Sequence, residues 1–335
     1  MSGIKVLRKI QLGGETTAGT AVAADFIWRG IATGLEDTRE KVRPEENVGL
    51  TSMTTRQYTP KIAAQLSMAA TEATFEQLPH ILEAALMNAT PVQDGAGSGY
   101  LYTYNLPTTA RAVTDIKTYT IEGGDNQQAE EMAYAFVSEF KISMNAGKAW
   151  MVSATWQGRE ASTTTFTGAL AIPSIEEILT QETKLYIDAV GGTIGTTEIA
   201  CTLLSATLNI TTGLIARFTA SGELFFCVAE DVGMRGTLEL TFLHNTTAVA
   251  TKANWRADTP ALVRLEADGS ALDTGATYTY KTAQINCAGI WNTFDDSDGD
   301  DEGTNTAVAT LDLGYDETAA LLGSILIVNE LTALP

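Results

Sequence analysis

Apolar and polar residues alternate along short segments through most of the chain, which is the pattern of half-buried β-strands. The clearest case is Arg235 to His244, in which Leu238, Leu240 and Phe242 fall on one face. Lys61 to Ala69 alternates in the same way in the first half of the chain. These segments predict a mainly β protein. Further strands are predicted at Asp25 to Ala32, Thr118 to Glu122, Met132 to Met144, Ala149 to Gln157, Lys184 to Ala189, Leu203 to Thr211, Leu214 to Ala220, Leu262 to Ala267, Thr277 to Ile290 and Ala307 to Gly314.

Two segments have helical spacing instead. In Glu72 to Met87, apolar residues recur every three or four positions, and Thr74 is placed to cap the first turn. Pro79 fits a first turn better than a helix interior, so a start nearer Leu78 is the alternative. A shorter helix is predicted at Ala248 to Trp255.

The order of these elements occurs twice. Each half gives strand, strand, helix and then three strands, and Tyr119 to Asp125 corresponds in place to Val263 to Gly269. Phe136 to Asn145 is likewise aligned with Tyr280 to Gly289. We interpret this as an internal duplication. It predicts two tandem β-sandwich or barrel units, residues 1–165 and 166–335, each flanked by a helix.

The composition adds a strong negative charge to this picture. The 335 residues include 41 acids and 21 bases, for a formal net charge of −20. Residues 1–165 carry 18 acids and 14 bases, whereas residues 166–335 carry 23 acids and 7 bases. A basic face for nucleic acid is excluded, because phosphate binding needs clustered Lys and Arg. No apolar run reaches the roughly 18 to 20 residues of a membrane span, so no membrane insertion is expected.

Catalytic chemistry has little support in the chain. His80 and His244 lie outside any recognised motif, and no phosphate-binding loop or nucleophile elbow occurs. The three cysteines, Cys201, Cys227 and Cys287, lack the spacing of a metal site. We therefore expect neither an enzyme nor a cofactor.

The most acidic segment runs from Asp295 to Gly303. Its aspartates at alternate positions, Asp296, Asp298 and Asp300, resemble the front of a calcium loop. The EF-hand pattern is not met, since Asp301 stands where Gly is required and Ala307 where the closing Glu belongs. A solvated hairpin loop and a Ca²⁺ or Mg²⁺ site are the two interpretations.

A long charged segment, Glu36 to Arg56, separates two of the early strands. A connection of this length is usually functional. It is interpreted either as a surface loop or as an arm that orders against a neighbouring copy of the chain. The charged residues available for such a contact are Arg39, Lys41, Arg43, Glu45, Glu46 and Arg56.

Five segments resemble the tail tube (major tail) proteins of long-tailed, non-contractile bacteriophages. They are Gly14 to Ala21, Thr74 to Leu86, Tyr119 to Asn126, Lys184 to Asp188 and Leu326 to Leu331. The resemblance implies a structural virion protein, made in the host cytoplasm and located in the tail. It implies β-sandwich units with a flanking helix that assemble as stacked rings around a channel through which DNA passes without specific binding.

Further expectations follow from this resemblance. Family tubes use a long loop between early strands to contact the next ring, which makes residues 36–56 the expected inter-ring contact. Because one tube unit needs about half of this chain, the duplication predicts a trimeric ring with pseudo-sixfold symmetry. A hexamer with the second half outside is the alternative. Other tail proteins, such as the tape measure and the tail terminator, are the expected partners.

A second function class remains open from the residues alone. It is a β-sandwich adhesion or carbohydrate-binding module that uses Ca²⁺ at residues 295–302. Such a module needs exposed aromatic side chains beside the loop, and Trp291 and Phe294 are in place to supply them.

Overall fold

The structure is a computed structural model that describes residues 2–31, 33–51 and 54–335. Within these ranges the chain is mainly β, with nineteen strands and two α-helices. All paired strands of the large sheet run antiparallel. The elements are β1 (Lys9–Gly14), β2 (Phe26–Ile27), β3 (Glu36–Arg39), β4 (Ile62–Glu72), α1 (Leu78–Ala85), β5 (Val92–Gln93), β6 (Tyr100–Asn105), β7 (Tyr119–Gly124), β8 (Ala129–Asn145), β9 (Met151–Gly158), β10 (Ser162–Thr164), β11 (Thr183–Ala189), β12 (Leu203–Thr211), β13 (Leu214–Arg217), β14 (Val228–Asp231), β15 (Arg235–Leu243), α2 (Thr246–Arg256), β16 (Pro260–Ala271), β17 (Tyr280–Asp301), β18 (Thr304–Leu313) and β19 (Gly323–Asn329).

The same set of strand pairings occurs in each half of the chain. In the first half, β3 pairs with β4, β4 with β9, β9 with β8, and β8 with β7 and β10. In the second half, β12 pairs with β15, β15 with β18, β18 with β17, and β17 with β16 and β19. The outermost strands also correspond, since β1 pairs with β7 and β11 with β16.

Because the strand pairings correspond, a strand residue in one half can be matched with the residue at the same position in the other half. β8 has an irregularity between Val137 and Glu139, and β17 has one between Trp291 and Thr293. Counting back from these points makes Phe136 the counterpart of Ile290. The sequence alignment that matched Phe136 with Tyr280 was therefore wrong by ten residues, because uneven connections conceal the register.

The helices take corresponding places. α1 packs against β8, and α2 packs against β17. Every residue of α1 is buried, so this helix is part of the core rather than a cover over it. α2 buries only Ala248 and Thr251, and its first turn is capped by Asn245, whose side chain accepts a hydrogen bond from the Thr247 amide at 2.9 Å.

Several predicted bounds differ from the observed ones. α1 begins at Leu78 rather than Glu72, which confirms the alternative start, because Pro79 is tolerated only in a first turn. The strand predicted to end at Ile290 continues to Asp301, so most of the acidic segment is strand rather than loop. Of the strand predicted at 25–32, only Phe26–Ile27 forms, and its last residue, Ala32, lies outside the described residues.

Candidate assembly interface

Eight strands form one sheet that crosses both halves of the chain. Its order is β3, β4, β9, β8, β12, β15, β18, β17, and we call it the long sheet. The halves join in the middle, where Glu139–Asn145 of β8 pairs with Ser205–Thr211 of β12. In the described ranges, β3 has no strand on its outer edge, nor has β17 from Asn292 onward. An open edge with unpaired backbone groups is a template for pairing with another chain.

The long sheet has one covered face and one polar face. Alternate residues such as Leu66, Trp156, Ile142 and Leu240 point into the core. The opposite face is built mostly of Ser, Thr, Asn and Gln, with more acids than bases among its charged residues. The charged residues on this face include Glu36, Glu72, Glu139, Lys141, Arg235, Glu239, Asp295 and Asp312.

The segment predicted as a long loop is a hairpin that projects from the sheet. We call residues 40–61, between β3 and β4, the projecting arm; residues 52 and 53 lie outside the described residues. Val42 and Tyr58 pair across it, which gives the arm a strand-like stem. Its tip exposes Val48 and Leu50, which are 54% and 65% accessible.

The charged residues predicted for an inter-ring contact mostly have partners in their own chain. Arg56 pairs with Glu46 at 2.6 Å and Arg39 with Asp37 at 2.7 Å. Arg43 donates a hydrogen bond to the Gln57 side chain at 3.3 Å. Lys41 and Glu45 are exposed, with no ion pair to a described residue. Exposed ion pairs of this kind contribute little to stability.

The corresponding connection in the second half folds back onto the first half. We call residues 212–234, between β12 and β15, the internal arm; it is 23 residues long, against 22 for the projecting arm. Its Phe226 is fully buried, with ring centroids 5.1 Å from Tyr134 and 5.9 Å from Phe136. Near the end of the internal arm, the Nε of Arg111 forms an ion pair with the Asp231 carboxylate at 2.8 Å.

The Arg111–Asp231 pair is buried and fully engaged. Arg111 also donates to the Ala85 carbonyl at 2.6 Å, at the C-terminus of α1, and to the Thr212 carbonyl. Burial by itself would raise the pKa of Asp231, but hydrogen bonds from Arg111 and from the Gly233 amide outweigh it and lower that pKa. The pair therefore stays ionised and holds the two halves together.

An open cavity of about 810 Å³ lies at the base of the internal arm, between residues 107–110 of the first half and Tyr315 and Leu322 of the second half. Its apolar lining comes from Pro107, Ala110, Val232, Met234, Tyr315 and Leu322. Val232 and Tyr315 are more than half exposed. Sequence reasoning missed this cavity and the aromatic cluster beside Phe226. The near-equal lengths of the two connections were the one sequence signal that could have suggested a shared role.

The acidic segment from Asp295 to Gly303, which we call the acidic hairpin, carries the residues proposed for metal binding. Lys252 binds both carboxylate oxygens of Asp296, at 2.6 and 2.8 Å, and the His244 Nε2 lies 3.3 Å from the same carboxylate. The Lys252 hydrogen bond is the main cause that lowers the pKa of Asp296. Across residues 2–31, 33–51 and 54–335, no three His, Cys, Asp or Glu side chains are grouped to hold a metal ion. Asp298 and Asp300 are not brought together with Asp296 as a ligand set.

The aromatic side chains needed by a carbohydrate-binding module are not exposed as expected. Trp291 is 2% accessible and belongs to the core. Phe294 is partly buried and stacks on Trp255, with ring centroids 6.4 Å apart. The expectation of two available aromatics was wrong, because the inward face of β17 extends through both positions.

A buried polar cluster lies beneath α1, away from the open edges. The Nδ1 of His80 is 3.2 Å from the Tyr119 hydroxyl, which also lies 3.3 Å from the Glu83 carboxylate. Burial lowers the pKa of His80 to about 3 and raises the pKa of Glu83 to about 7. His80 is therefore neutral at physiological pH, which suits a structural position.

Comparison of the chain with protein-family models and with curated proteins finds no match. Neither of the two helices in the part of the chain that the structure describes is long and apolar enough to cross a membrane.

Proposed function

We propose that this chain is a structural virion protein, the subunit of a phage tail tube whose rings stack around a channel for the DNA genome. The observation that carries the proposal is the long sheet, which is open at both ends and already contains one junction between equivalent halves. The edges β3 and β17 are the counterparts of β12 and β8. A second copy can therefore repeat, between chains, the pairing that β8 and β12 make within one chain.

Repetition of one junction closes a ring when a whole number of its rotation steps adds up to 360°. Each chain supplies two equivalent units, so three chains give six units and a barrel of about 24 strands. At a strand spacing of about 4.8 Å and a tilt of about 40°, such a barrel is about 48 Å across between backbones. A barrel of this size leaves an open bore rather than a packed interior.

The polar face of the long sheet is the surface that supports a DNA channel. The main core occupies the other face, and the internal arm covers the part of the polar face around Phe136, so closure of the barrel turns the rest of the polar face inward. Scattered acids such as Glu139, Glu239 and Asp312 outnumber the bases there. A weakly negative wall repels phosphate, and screening over roughly 8 to 10 Å keeps this repulsion local. DNA then passes without binding.

Stacking of rings, the virion tail as location, and contacts with tape measure and tail terminator proteins complete the proposal. The resemblance to tail tube proteins supports them, and a ring with two free faces can stack. The adhesion or carbohydrate-binding alternative is less well supported, because its two aromatic side chains are not exposed as it requires and Asp296 is bound by Lys252.

Electron microscopy of the purified protein tests the proposal. We expect rings or tubes, with three chains per ring and a pseudo-sixfold appearance in averaged end views. Six chains per ring would replace the trimer by the hexamer in which the second half decorates the outside. Monomers that never form rings or tubes, at high concentration and across salt conditions, would overturn the tube proposal.

A further inference from the structure

We propose that the projecting arm of one copy lies against the adjacent copy in the same ring, with its tip in the 810 Å³ cavity. The occupant of this cavity is thus a second copy of the chain. The inference rests on the proposed function and deepens it, because it assigns the arm a lateral contact instead of a contact with the next ring.

The internal arm shows what such a contact looks like. Its Leu224 carbonyl accepts a hydrogen bond from the Ile62 amide at 2.9 Å, and its Cys227 carbonyl accepts one from Arg159 at 3.0 Å. Its Phe226 covers Phe136. The arm of the second half therefore covers the first half, the unit to which its own sheet is joined at β8 and β12.

The counterparts of those covered residues form the open surface of the second half. Leu66 and Leu238 are counterparts, because their partners in β9 and β18 correspond. Ile62 lies four residues before Leu66 and Met234 four residues before Leu238, so Met234 is the counterpart of Ile62. Met234 lines the cavity, and Tyr315 beside it directly follows Gly314, the counterpart of Arg159. Ile290, the counterpart of Phe136, is 50% exposed.

The two arms also correspond to each other in register. Val42 pairs with Tyr58 in the projecting arm, and Ile215 pairs with Glu230 in the internal arm. Val42 and Ile215 lie at the same distance after Glu36 and Asn209, which are counterparts in β3 and β12. Tyr58 and Glu230 lie at the same distance before the counterparts Leu66 and Leu238. The two pairs are therefore counterparts. The arms therefore leave the sheet in the same way, and the projecting arm lacks only the unit that would lie beneath it.

The chemistry of the tip fits the cavity. Val48 and Leu50 are exposed apolar residues at the end of an otherwise charged hairpin, and the cavity exposes Val232 and Tyr315. From Val42, the eight residues to Leu50 reach at most about 27 Å when extended. Burial of both apolar surfaces together stabilises the contact.

A disulfide test distinguishes a lateral contact from an axial one. In a background in which the exposed Cys201 and Cys227 are replaced by Ser, the substitutions Leu50→Cys and Tyr315→Cys place one thiol on the tip and one at the cavity. Assembled tubes are oxidised and analysed on a non-reducing gel. A lateral contact closes on itself, so we expect a ladder that ends at the covalent trimer.

Each outcome has a defined meaning. A ladder that ends at six chains keeps the lateral contact and rejects the trimer. A ladder that continues past one ring, or intact tubes whose thiols stay reduced, overturns this inference and leaves the tube proposal standing. Absence of rings and tubes rejects the tube proposal itself. Leu50→Cys combined with Val92→Cys, an exposed position outside the cavity, is the control and should not cross-link.

A second measurement avoids cysteines altogether. The double substitution Val48→Ser and Leu50→Ser keeps the arm but removes its apolar tip. We expect the protein concentration at half assembly to rise by roughly tenfold or more, with unchanged unfolding of the monomer. The matched control changes Val6 and Ile172, which are 86% and 73% exposed, to Ser and should leave assembly unaffected. Equal assembly of both double variants would contradict the inference.

Discussion

Phe136 and Ile290 hold the same position in two sets of strand pairings, and only Phe136 is covered. Phe136 is fully buried beneath Phe226 of the internal arm, whereas half of the Ile290 side chain is open to solvent. The covered surface around Phe136 is the template for the contact that we propose between copies, and the uncovered surface around Ile290 is where we propose that the second copy binds.

The first prediction concerns Glu83 and pH. Burial raises its pKa to about 7, so the folded state holds this proton more tightly than the unfolded chain does. Its stabilising contribution is complete below pH 4.5 and is lost as pH rises to about 7, by about 3 kcal/mol in the free energy of unfolding. Glu83→Gln should remove this slope in urea unfolding series.

The control for this prediction is Glu317→Gln at an exposed position, which should leave the slope as in the wild type. If Glu83→Gln shows the wild-type slope between pH 4.5 and 7, another group is responsible for it.

A second prediction concerns the buried pair that holds the halves together. Arg111→Ala leaves the Asp231 carboxylate buried without its cation, and it frees the carbonyls of Ala85 and Thr212. We expect a loss of about 3–5 kcal/mol in the free energy of unfolding, measured with urea. The exposed pair of Arg217 and Glu230 is the comparison, and Arg217→Ala should cost less than about 1 kcal/mol. Similar losses for both variants would argue against a special role for Arg111.

Charge reversal in the bore should convert a repelling wall into one that retains DNA. We expect tubes with Glu139 and Glu239 changed to Lys to hold short duplexes and to protect them from nuclease, with steep salt dependence. The matched control changes Asp298 and Asp300 on the hairpin to Lys and makes the same change in charge. DNA bound by the control should remain accessible to nuclease, and equal protection by both variants would place the bore elsewhere.

The edge pairing makes a prediction about ionic strength. In the proposed ring, repeating the register of β8 and β12, in which Asn209 lies opposite Lys141, would place Glu36 of one copy opposite Asp295 of the next. Like charges directly opposite destabilise a strand pair, and salt screens them. Ring formation should therefore increase with salt, and Glu36→Gln should increase it at low salt. The same change at Glu40, which is paired with Lys61, is the control. Assembly that weakens with salt in the wild type would contradict this register.

The acidic hairpin should be dispensable for assembly. Changing Asp296, Asp298, Asp300 and Asp301 to Asn should leave ring and tube formation intact, because Lys252 already occupies the Asp296 carboxylate. Chelation of calcium should have no effect on tubes in sedimentation assays. Loss of tubes in either experiment would identify the hairpin as a metal-bridged joint.

Local patterns carried much of the strand assignment. Alternation over Lys61 to Ala69 and Arg235 to His244 predicted β4 and β15, because alternate residues of each strand face the core and are apolar. The same reasoning missed β5 and β6. They form a hairpin whose β6 pairs with β19 from the other half, a long-range pairing with a weak local signal.

The sequence by itself determined that this is a mainly β chain, that the order of elements recurs in its two halves, and that most of its negative charge lies in the second. These properties follow from residue type and spacing, which act within a strand or a helix. Only the tertiary structure decided that the internal arm folds back while the projecting arm extends, and that β3 and β17 end the long sheet. Those outcomes depend on which surface lies beside each segment. For the projecting arm, the isolated chain does not provide that surface.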